Sequence, residues 1–132
     1  MLHSFKKGRG GFTLVEIMIV VAIIALLAAI AIPNFVRARK RTQATSVLDD
    51  LRNIHHALEQ YAVETNKPAG FNPQFADLKN YIKTGSTLYT SGADIFGNTY
   101  GPFTVDQIPK VSSVTYDALS DVANNSFWSP YN

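Results

Sequence analysis

Hydrophobic and polar positions divide the chain into a long apolar run, an amphipathic continuation and a short mixed remainder. From Ile17 to Ile32 no side chain is polar. Counted from Phe12 to Val36, the segment has the length a helix needs to cross a hydrocarbon layer of ~30 Å at ~1.5 Å per residue. Lipid offers the backbone no hydrogen-bond partner but itself, so such a run is read as a helix. Beyond it, apolar residues recur at three- and four-residue steps: Val47/Leu48, Leu51, Ile54/His55, Leu58 and Tyr61/Ala62. That is a helical period, with Asp49, Arg52, Asn53, His56, Glu59, Gln60 and Val63 mostly off the stripe. The pattern predicts one helix from Phe12 to Thr65. Pro33 lies inside it, removing one hydrogen bond and crowding the preceding turn, so a kink or loosened turn is expected there.

Asn66-Lys67-Pro68-Ala69-Gly70 reads as a stop. Asn72-Pro73 reads as a helix cap followed by proline at the first helical position, with a short amphipathic helix to Lys83 and Gly85 closing it. Thr87 to Thr90 is a strand candidate and Ser91 to Asp94 a turn. Gly97-Asn98 between apolar flanks makes Asp94 to Thr104 a hairpin candidate. Val111 to Tyr116 fits a strand by its β-branched residues. Ser112 or Ser113 followed by Val114, Leu119 and Val122 fits a capped helix better. Asn124-Asn125 is expected to end that helix, and the aromatic tail Phe127 to Tyr131 to fold back on the domain rather than stay exposed. The fold class expected is α+β. A long N-terminal helix packs its amphipathic half on a small C-terminal head of short helices and a small antiparallel sheet.

The remainder after Pro68 is about 65 residues, marginal for a core of its own, so it is expected to lean on the helix. The chain has no cysteine, which excludes disulfide staples, thiol catalysis and cysteine-based zinc sites. Its +2 charge is carried by the first eleven residues, where Lys6, Lys7 and Arg9 meet no acid. Without them nine Lys and Arg face ten Asp and Glu, so no global basic character for nucleic acid remains. Glu16, at the edge of the apolar run, has two readings. It is an interfacial charge that suits the helix dipole, or an ionisable group kept near the membrane for function.

Gly10-Gly11-Phe12-Thr13-Leu14-Val15-Glu16, behind a short basic leader and ahead of about twenty apolar residues, resembles the type IV prepilin signal. The resemblance covers Lys6 to about Ala44 and implies a type IV pilin or a pseudopilin of a type II secretion system. It implies a leader of residues 1–11, cleavage by prepilin peptidase between Gly11 and Phe12, and N-methylation of Phe12. A transmembrane assembly helix over 12–36, an amphipathic continuation over 37–66 and a head over 67–132 follow. Glu16 becomes an assembly residue, the fifth after the cut, and Pro33 a place where the helix extends on packing. The implied partners are the peptidase, copies of the chain and related pilins in a helical filament, an inner-membrane assembly platform, and lipid before assembly. The implied location is the inner membrane as a single-pass prepilin, leader in the cytoplasm and head in the periplasm, then a periplasmic or surface filament. Basic residues flank both ends of the run, so charge alone leaves orientation open.

Asp94-Ile95-Phe96-Gly97-Asn98-Thr99-Tyr100 resembles the Asp-Pro-Trp-Gly-Asn-Pro-Tyr stretch of the type II secretion major pseudopilin, departing at Ile95, Phe96 and Thr99. In that family a nearby loop binds calcium, an ion that takes ~6–8 oxygens, which makes Asp94, Asp117 and Asp121 calcium candidates. Turn chemistry at Asp94 and Asn98 is the competing reading. His55 and His56 are neighbours on a helix and are expected to face different sides. Arg37, Arg39, Lys40 and Arg41 form a collar suited to lipid headgroups, or to acids on a neighbouring subunit. No nucleophile–base arrangement, phosphate loop or paired carboxylate stands out, so the expectation is a structural protein and not an enzyme. The alternative is a membrane-anchored small binding protein that does not assemble. Such an anchor would need neither Gly11-Phe12 nor Glu16. Pilus or pseudopilus, and major or minor subunit, stay open at this level.

Overall fold

The computed structural model describes residues 10–132. Lys6, Lys7 and Arg9 of the expected leader, and with them His3, lie outside that range. Helix α1 spans Leu14–Thr65, 52 residues, and is continuous through Pro33. It starts two residues later than the apolar pattern suggests because Thr13 caps it. Among the described residues it is the one helix long and apolar enough to cross a membrane. The chain divides into two compact units between Val36 and Arg37. In the first, the side chains from Leu14 to Val36 are exposed nearly throughout.

The second unit begins at Arg37 and holds the core. The helical stripe behaves as its period requires: Ala44, Val47, Leu48, Leu51, Ile54, Ala57, Leu58 and Tyr61 are buried. Against them pack α2 (Phe75–Leu78), α3 (Thr87–Ser91), α4 (Ser113–Ala118) and α5 (Asn125–Trp128) with their loops, through Leu78, Leu88, Tyr100, Val105, Leu119 and Trp128. The aromatic tail folds back. Trp128 is 0% exposed, and the Tyr131 ring meets His55 edge-on at 6.0 Å. Helix α1 ends in Asn66 at φ 52°, a left-handed turn that asparagine tolerates.

The short elements depart from the sequence expectations in instructive ways. The helix expected over 73–83 is only α2 plus a 3-10 turn at Lys79–Tyr81. Its cap is Gln74, whose N–H donates to Asp77 at 2.9 Å, while Asn72 instead accepts the Thr104 hydroxyl at 2.9 Å. The strand expected at Thr87–Thr90 is helical. Ser86 accepts the Tyr89 N–H at 3.1 Å, and Gly92 at φ 62° ends the turn, so local capping outweighs β-propensity. The expected hairpin over 94–104 shrinks to one antiparallel bridge, Ala93 to Thr99, closed by Gly97 at φ 83°. Pro102 and Pro109 follow, and proline cannot donate to a ladder. No strand occurs among the described residues, so the antiparallel sheet of the expected α+β head is not found. The helical reading of Ser113 onward holds. Asn124, expected to end that helix, instead caps α5 by accepting the Phe127 N–H at 3.1 Å.

Candidate functional site

The membrane-competent end carries its one acidic side chain at the first turn of α1. The Thr13 hydroxyl accepts the Glu16 N–H at 3.2 Å, and the Glu16 carboxylate accepts the Thr13 N–H at 3.3 Å. This is a reciprocal capping box: two backbone donors that the helix cannot serve are served by side chains. The Thr-x-x-Glu spacing was available in the sequence as the signal for it. Phe12, immediately before, is 85% exposed. The arrangement holds a carboxylate beside the Phe12 backbone at the mouth of an unburied apolar helix. Pro33 lies on that helix twenty residues from Thr13.

The three calcium candidates lie in different surroundings in the head. Asp94 is 5% exposed and already served by protein donors. One oxygen accepts the N–H groups of Phe96 and Asn98, both at 2.9 Å, and the other accepts the Thr115 hydroxyl. The Asn98 amide donates to the same Thr115 at 2.9 Å. The motif Asp94 to Tyr100 therefore folds as a loop clasped to α4. Asp121 pairs with Lys40 at 2.8 Å, which holds its carboxyl below the usual range. Asp117 is exposed, and among the described residues no three histidine, aspartate or glutamate side chains group as metal ligands.

Two features escaped the sequence reading. Asp50 on α1 accepts the Tyr100 hydroxyl at 3.0 Å, half-buried. Its carboxyl is pushed up chiefly by burial, against the pull of that bond. His55 and His56, expected to face apart, both reach one carboxylate: Glu59 lies 3.5 Å from His55 Nε2 and 3.6 Å from His56 Nδ1. Their rings stack at 6.3 Å, which the i, i+3 and i, i+4 spacings to Glu59 allow. Within the basic collar, Lys40 is committed to Asp121, while Arg37, Arg39 and Arg41 are exposed.

These features define a first unit whose helical segment is apolar on every side and a second unit with a small helical core. Comparison with known proteins agrees. Residues 6–32 match the prokaryotic N-terminal methylation motif. The chain is 32% identical to type II secretion system core protein G of Pseudomonas aeruginosa over 72% of its own length and 73% of that protein's. It is 40% identical to the type IV major pilin protein PilA of Myxococcus xanthus over 53% of its length, and 48% identical to the type IV wide pilus major component PilA4 of Thermus thermophilus over 46%. It spans only 32% and 46% of the lengths of those two pilins. No solved structure gives a significant match. The chain belongs to the family of type IV pilins and type II secretion pseudopilins.

Proposed function

We propose that the chain is a structural subunit of a helical filament, made as a membrane-inserted precursor, cut between Gly11 and Phe12 by prepilin peptidase and methylated on the new N-terminus. The observation that carries this reading is the exposed apolar half of α1 with Glu16 fixed at its first turn. A helix apolar all round needs a nonpolar surrounding, which lipid supplies before assembly and neighbouring helices supply afterwards. Cleavage leaves a cationic amine at Phe12. Buried among helices, that amine needs a carboxylate partner, and Glu16 of an adjacent subunit supplies it and fixes axial register. Pro33 marks where α1 extends as subunits pack. The leader stays in the cytoplasm, the head lies in the periplasm, and an inner-membrane platform loads the subunit. The role is architectural and not catalytic.

Within this reading the secretion type is favoured. Relatives named type II secretion system core protein G, from Aeromonas hydrophila and Pseudomonas aeruginosa, align over 80% and 72% of the chain and so into the head, whereas the pilins align over about half. Peptide mass analysis of membrane-extracted protein tests the proposal. A mature chain starting at Phe12, recovered in multimers from the cell envelope, is the expected result. A cut near Ala31, as a general signal peptidase would make, contradicts it.

A further inference from the structure

A cavity of about 430 Å³ opens in the second unit where α1 faces the 106–108 turn. Leu58, Ala62, Val63 and Ile108 give it an apolar lining; Glu59 and Asp106 are its two acids, and His55, whose Nε2 lies 3.5 Å from Glu59, lines it as well. Asp106 is placed there by a left-handed backbone, φ 64°, which aspartate tolerates. Val63 is 81% exposed and Ile108 42%, so apolar surface lies open beside the two acids. A site with an aliphatic lining and two acids suits an amphipathic cation, whose methylene stem covers the apolar part while its head meets a carboxylate. A guanidinium suits it best, with its planar fork of donors for carboxylate oxygens.

The same chain carries such groups elsewhere. Arg37, Arg39 and Arg41 project from α1 as exposed side chains, and among the described residues none of them has a carboxylate within ion-pair distance. Lys40, between them, is already taken by Asp121 at 2.8 Å. We propose that the cavity receives the arginine collar, Arg37 to Arg41, of a second copy of the chain. The two patches are different surfaces of one molecule, so the contact is heterologous and repeats without closing. It rests on the filament reading and adds the head-level contact that selects a neighbour by charge.

The test uses the full-length chain in its own cells. Glu59→Lys with Asp106→Lys reverses the cavity, and Arg37→Glu, Arg39→Glu and Arg41→Glu together reverse the collar. Each set is expected to lower the yield of assembled filament from the cell envelope and surface about tenfold or more, because like charges then face one another. Combining the sets is expected to restore yield to within about threefold of the parent, the sign of a specific pair. Membrane blots for the processed form separate assembly from insertion. An unchanged yield from the cavity set overturns the proposal. So does a loss from the collar set that the cavity set does not repair, which would give the collar to lipid headgroups. A second readout needs no filament. The chain has no native cysteine, so Ala38→Cys with Gln107→Cys leaves every charge in place. A short bismaleimide should join these copies into a ladder of multimers in intact membranes, and reversing the cavity charges should abolish it. Absence of the ladder overturns the pairing, whereas a ladder in cells that make no filament upholds the pairing and sinks the filament reading instead.

Discussion

The Tyr100 hydroxyl donates to the Asp50 carboxylate at 3.0 Å, joining positions fifty residues apart. The bond fastens the loop that follows the Ala93–Thr99 bridge to the middle of α1. Burial lifts the Asp50 carboxyl, the bond to Tyr100 opposes it, and the nearby charges of Asp49 and Asp94 lift it further. The Tyr100 phenol is driven well above its usual range, first by burial and then by the charge of Asp50.

Tyr100→Phe should therefore cost about 1 kcal/mol at neutral pH, the scale of one hydrogen bond to a partly solvated charge. The deficit should narrow in acid, where Asp50 takes up a proton and no longer needs the donor. Urea midpoints of the segment from Arg37 onward, at neutral and acid pH, check this. A deficit that widens in acid would remove Asp50 as the cause.

Asp50 and Asp121 should give pH profiles of opposite sign. A carboxyl raised by folding costs stability when charged, and that cost fades as pH falls through the raised value toward 3.8. A carboxyl lowered by Lys40 contributes stability above 3.8 and loses it as pH falls through the lowered value. Asp50→Asn should raise the melting temperature at neutral pH and flatten the profile above 3.8. Asp121→Asn should lower it at neutral pH and blunt the loss below 3.8.

Leu51 and Trp128 are both 0% exposed, yet their truncation should differ. Leu51→Ala should cost about 2–5 kcal/mol through lost burial and the cavity left behind. Trp128→Phe should cost less than Leu51→Ala. Among the described residues the indole N–H has no hydrogen-bond partner, and removing it relieves an unsatisfied buried donor. Denaturant unfolding of the two variants gives the order directly, and the reverse order would show that the indole is satisfied.

A segment beginning at Arg37 should fold and stay soluble, because it keeps the stripe Ala44 to Tyr61 that forms one side of the core. A segment beginning at Asn66 should not, having lost eight buried residues of α1. Calorimetry separates them: a sharp cooperative transition from the shorter segment would make the helix dispensable.

At the other end, Glu16→Ala should leave insertion and cleavage intact while abolishing filaments made from the variant alone. Co-expressed with the parent chain, it should still enter filaments, because its own Phe12 amine can use a neighbour's Glu16. Thr13→Ala removes the hydroxyl that receives the Glu16 N–H and should cost the helix start about 1 kcal/mol, with a milder loss of filaments. Assembled filament from envelope and surface against processed protein in membranes reads both. Normal yield from Glu16→Ala alone would reduce Glu16 to an interfacial charge.

The long helix, its two characters and the N-terminal methylation motif were legible in the sequence because each is local. Sixteen consecutive nonpolar side chains from Ile17 to Ile32, a stripe at helical spacing and a contiguous motif need no knowledge of what folds against them. The head was legible only in part. Thr87 to Thr90 looked like a strand by composition, and the Ser86 cap with Gly92 behind it decided for helix. Asp94 reads in the sequence as a turn residue first and a cation ligand second. The structure adds a partner from far along the chain: Thr115, twenty-one positions away, donates its hydroxyl to one of the Asp94 carboxylate oxygens. The Tyr100–Asp50 bond and the cavity beside Asp106 likewise join distant residues. Pairings of that kind depend on how the chain closes on itself, and a periodic pattern carries no information about closure.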